Sequence, residues 1–148
     1  MSLVDTNRLI REYLLTSSSL TDPLIALIDD RLYCPRLPEG ATFPAVSYLT
    51  RGGNADPEVP NIVSPSVQFD CWAKPTNTGE GSENAREVYR ALYDALQGLG
   101  NAGITIGGVT YYITKAREEV QGEDLVDVDI PNLFRVLTFY SITVRDNL

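Results

Sequence analysis

Six carboxylates crowd one short stretch of the chain: Glu118, Glu119, Glu123, Asp124, Asp127 and Asp129. A hard cation such as calcium or magnesium wants oxygen ligands at this density. The spacing, however, has no D-x-D-x-D-G run closed by a glutamate, so it matches no calcium loop. Asp127 and Asp129 alternate with Val126, Val128 and Ile130, the pattern of a solvated strand face. Asp70 with Glu83 or Glu87 is a second conceivable acid–base pair, but nothing in the spacing brings them together. Gly52-Gly53 and Gly107-Gly108 lack the strand–glycine–helix order of a phosphate loop, and turn chemistry accounts for both. The Ser17–Ser19 run has no base to activate a nucleophile. The chain contains no histidine, which removes Ser–His and Cys–His catalysis and histidine-ligated zinc from a single copy. No catalytic residue, metal ligand or cofactor site is assigned.

The bulk properties narrow the class further. A chain of 148 residues with 43% hydrophobic and 22% charged residues fits one globular domain with a core of its own. The net charge of −8 repels phosphate and argues against a sequence-reading nucleic-acid domain. No apolar run reaches the roughly 18 residues that span a bilayer, and no basic-then-apolar leader opens the chain. Cys34 and Cys71 read as two reduced, core-type residues of an intracellular protein.

The elements that must position any site are legible from periodicity. Val67, Phe69, Cys71 and Ala73 alternate with Gln68, Asp70 and Trp72, which predicts a half-buried strand over 66–73. Ala85, Val88, Leu92, Ala95, Leu96 and Leu99 recur at helical spacing, predicting a helix capped by Ser82 and stopped near Gly98. An N-terminal helix to about Leu15 is expected to start at a Ser2–Asp5 capping box, and a short one at Asp22-Pro23. Gly107-Gly108 predicts a hairpin turn, with the second arm running to about Arg117. Strands are expected at 45–50 and at 133–144, the last apolar on both faces: Val136, Tyr140, Ile142 and Val144 on one, Leu137 and Phe139 on the other. Residues 51–64 and 118–132 read as long loops. The sum is an α+β domain: an antiparallel or mixed sheet of about five strands, with two or three helices packed on one face.

One strand face then stands out. Gln68, Asp70 and Trp72 make a mixed aromatic–polar surface turned away from the main helix, and Leu137 and Phe139 extend it. Tryptophan is usually largely buried, so a helix or loop covering Trp72 is the plain reading. A subunit or partner interface is the functional one.

These signals, in this order, resemble the tail completion or tail terminator proteins of long-tailed bacteriophages and prophages. The resemblance runs through the N-terminal helix and Asp30-Arg31-Leu32-Tyr33 to the proline loop ending Pro44-Ala45-Val46-Ser47-Tyr48. It continues through Val67–Ala73, the Ala85–Leu96 helix, the glycine hairpin and the closing Phe134–Val144 strand. It covers nearly the whole chain, and none of its motifs is catalytic. What it implies is a structural, non-enzymatic protein of the virion, at the head–tail junction. Such a protein forms a ring, usually of six copies, that caps the tail tube and ends its growth. Its partners would be other copies of itself, the tail tube protein and the head connector or head-completion protein, with DNA only in transit through the lumen. The acidic residues 118–129 would then line that lumen. Alternatives are another head–tail junction protein, a monomeric binding module using the Trp72 face, and a small hydrolase using carboxylates and a metal.

Overall fold

The structure, a computed structural model, describes residues 4–55, 58, 62–77, 79–126 and 132–146. Asp5 caps the first helix, α1 (Thr6–Leu15), its carboxylate accepting from the Arg8 amide at 3.3 Å. The cap is therefore Asp5 rather than Ser2, which lies outside the described residues. Leu9, Ile10, Tyr13 and Leu14 form the buried stripe of α1. The short helix α2 (Asp22–Ile28) carries Pro23 in its first turn, where a missing amide breaks no bond, and Asp29 at a φ of 54° ends it. The main helix α3 (Gly81–Leu96) buries the predicted stripe. Its N-cap is Glu80, with no side-chain cap bond, rather than Ser82, and Gly81 packs so close to the Phe134 ring that a Cβ there would clash.

Among the described residues the strands are β1 (Leu32–Tyr33), β2 (Ala45–Ala55), β3 (Ile62–Ala73), β4 (Ala102–Ile106), β5 (Val109–Val126) and β6 (Phe134–Asp146). They form one six-stranded sheet in the order β1-β2-β3-β6-β5-β4, one strand more than predicted. It is mixed, because β1 runs parallel to β2 while every other neighbour is antiparallel. The fold is α+β, as expected.

Both predicted loops are corrected in part: 51–55, 62–64 and 118–126 are strand, while 56–57, 59–61 and 127–131 lie outside the described residues. Residues 51–55 and 62–64 continue the β2–β3 pairing past a register shift between Thr50 and Gly53. Gly53 sits at a φ of 126°, and a Cβ there would meet the Ser64 carbonyl oxygen at 2.3 Å, so the glycine pair builds a bulge. Residues 118–126 are likewise strand: β5 is 18 residues long and holds its pairing with β6 across three register shifts. Charged side chains are tolerated there because the outer edge of β5 beyond Ile113 meets water.

The three helices share one core with one face of the sheet. Phe69 lies at its centre, 5.8 Å from the Tyr48 ring and edge-on to Tyr140 at the same distance. Val67, Phe69, Cys71, Val136, Tyr140, Ile142 and Val144 are all buried on this side. Each large residue so buried contributes roughly 1.5–3 kcal/mol. Cys71 is fully buried as expected, whereas Cys34 is exposed.

Candidate functional site: the open face of the sheet

Alternation on β2, β3 and β6 turns every second residue away from the helices. Cross-strand register then assembles the predicted residues: Gln68 lies opposite Phe139, Asp70 opposite Leu137, and Trp72 opposite Arg135. On the other side of β3, Ser47 pairs with Asp70. All five predicted interface residues thus share one face of two adjacent strands.

Their polar groups join into a chain. The Trp72 indole N–H donates to Ser47 Oγ at 2.9 Å. The Arg135 guanidinium lies 5.2 Å from the Trp72 ring centre and donates to Asp70 Oδ1 at 3.1 Å. Gln68 Nε2 donates to Asp70 Oδ2 at 2.9 Å, and Arg51 Nη1 donates to Gln68 Oε1 at 2.8 Å. Asp70 is only 4% exposed although no helix covers this face. Burial pushes its carboxyl above the usual value, while the bonds from Gln68 and Arg135 pull it back. Arg135, Ser47 and Arg51 were not singled out in the sequence. Arg135 was readable there, since it stands two residues before Leu137 in the same alternation.

The conceivable acid–base pair of Asp70 with Glu83 or Glu87 is not assembled. The Asp70 carboxylate is held by two donors, and Glu83 and Glu87 sit on α3 across the other face of the sheet. Among the described residues, no three His, Cys, Asp or Glu are placed to hold a metal ion. Leu137 and Phe139 are half-buried, and Val120, opposite Phe139, is 46% exposed. Apolar side chains in the middle with Arg51, Glu119 and Arg135 around them have the make-up of a contact surface.

The described acidic residues do not form a surface of their own. Glu118 turns toward α3 and accepts from the Tyr89 hydroxyl at 2.6 Å and from Thr138 Oγ1 at 2.8 Å. Asp124 also faces α3, bonded to Arg86 at 2.8 Å. Glu119 lies on the open face, accepting from Ser66 Oγ at 2.8 Å. Glu123 is exposed on β5, and Asp127 and Asp129 fall outside the described residues. The expected single acidic loop is therefore corrected: strand alternation and bulges split Glu118, Asp124 and Glu119 between two faces.

No protein-family model matches this chain, and no curated protein matches it.

Proposed function

We propose that this chain is a structural protein of a phage tail. It assembles with copies of itself into a ring, of about six copies in the family it resembles, that caps the tail tube, stops its growth and joins the tail to the head connector. DNA passes through the ring only in transit. The order of sequence signals along nearly the whole chain supports this reading. The observation that carries it is the helix-free sheet face, where Leu137 and Phe139 stand beside the Trp72–Arg135–Asp70–Gln68 chain. The divergence of Glu118, Glu119 and Asp124 counts against a carboxylate-metal hydrolase, which needs convergent acids.

Deleting the gene from the phage or prophage that carries it, followed by electron microscopy of the particles, tests the reading. Overlong tails detached from full heads are expected. Normal-length tails beside emptied heads would contradict tail termination and place the protein at the connector.

A further inference from the structure

The sheet exposes several edges, and they are not equally protected. β1 is two residues long. The free edge of β2 is interrupted by the shift between Thr50 and Gly53 and carries Arg51. The free edge of β5 beyond Ile113 has three register shifts and carries Lys115, Arg117, Glu119 and Glu123. Short strands, bulges and charges are the devices that keep exposed edges from pairing with other chains. β4 has none of them. Ala102–Ile106 pairs with β5 without a shift, and no charged residue occurs anywhere from 100 to 114. Among the described residues nothing pairs with its outer side.

The hairpin fixes which groups are free. Gly107-Gly108 closes a two-residue turn with both φ angles positive, so Ile106 and Val109 form the first bonded pair. Bonded and non-bonded pairs alternate from there, which leaves the N–H and C=O groups of Gly103 and Thr105 pointing outward. Beside this edge, between β4 and the last turn of α1, runs a groove of about 350 Å³ lined by Glu12, Tyr13, Thr16, Ala102 and Ile104 among others. Glu12 is its sole charged lining residue and makes no ion pair among the described residues.

We propose that the β4 edge and this groove bind an extended segment of a partner protein, which adds to the sheet as a further strand. Backbone bonds to Gly103 and Thr105 hold the segment, one apolar side chain enters the groove beside Tyr13 and Ile104, and a lysine or arginine on the same face meets Glu12. Strand addition takes its affinity from the backbone and its selectivity from alternate side-chain pockets. A second copy of β4 is a poorer occupant. A ladder of five residues falls well short of the roughly 1,000 Å² that a stable interface clears, and two-fold pairing would bring the two Glu12 carboxylates toward one site. The inference stands on the edge and the groove alone and does not depend on the tail reading.

The test uses the full chain and two soluble peptides of about eight residues, one alternating threonine with valine and lysine, the other with glutamate in place of lysine. With the lysine peptide, NMR should show the Gly103 and Thr105 amides becoming protected from exchange. Binding should be at least about tenfold tighter than for the glutamate peptide. Thr105→Pro removes one outward N–H, a change edge strands tolerate, and should abolish binding while leaving the unfolding midpoint nearly unchanged. Glu12→Lys should reverse the peptide preference, which keeps the test decisive if Thr105→Pro folds poorly. Equal binding of both peptides, no binding at millimolar concentration, or a wild-type dimer that Thr105→Pro dissolves would each overturn the proposal.

Discussion

On the helix side of β3, Val67, Phe69 and Cys71 are fully buried against the helices; one residue along, Gln68, Asp70 and Trp72 face a side that no helix covers. The two sides are made by the same strands in the same register, so backbone geometry does not separate them. Their side chains do. The helix side is held by apolar burial and ring packing, which are non-directional and scale with area. The open side is held by a chain of directed bonds from Arg51 to Ser47, which fixes where each group points. That chain sets the surroundings of Leu137 and Phe139 while leaving them accessible. Stability is therefore concentrated on one face, and the surface proposed for contact lies on the other.

The comparison is sharpest at Phe69. Phe69→Ala removes the ring between Tyr48 and Tyr140 and should cost about 3–5 kcal/mol in urea unfolding. A loss under about 1 kcal/mol would show that the helix side is not the main source of stability.

Asp70 gives a smaller effect with a definite sign. Burial raises its pKa above 3.8, and the Gln68 and Arg135 bonds oppose this without cancelling it. The folded chain keeps this proton to higher pH than the unfolded chain. The Asp70 contribution to stability is thus largest in acid and falls as pH rises through the raised pKa. Measured against Asp70→Asn, wild-type stability should decline as pH rises above about 4, the ordinary aspartate value. A relative rise above that pH would mean that the Arg135 ion pair outweighs desolvation.

The smallest expected effect on folding is at Phe139. Phe139→Lys keeps an apolar stem across the half-exposed site while placing a charge where a dry contact would form. It should cost only about 1 kcal/mol in stability, judged by thermal unfolding.

The sequence made some parts of this molecule easy to read and hid others for physical reasons. The α3 stripe, the β3 alternation and the Gly107-Gly108 turn follow directly from period and backbone freedom, and all three are present. The strand character of 118–126 was hidden because its charges mimic a loop, and an edge strand with bulges can carry charge freely. The extension of β2 and β3 was hidden because Gly52-Gly53 and Pro65 read as breakers, whereas Gly53 serves a bulge opposite Pro65. The parallel β1–β2 pair is a contact of two residues on each strand, too short for any period to reveal. At the open face, Gln68, Asp70, Trp72, Leu137 and Phe139 were found by alternation, but the partners of Asp70 and Trp72 on β2 and β6 depend on register, which local pattern does not specify.

The open face is the central claim, and complementation tests it directly. A phage lacking the gene should be supplied with either the wild-type protein or the folded Phe139→Lys protein, and tail lengths read by electron microscopy. Wild type should restore normal tails attached to heads, and Phe139→Lys should leave the tails overlong and unattached. Normal tails with Phe139→Lys would contradict the assignment of this face to assembly.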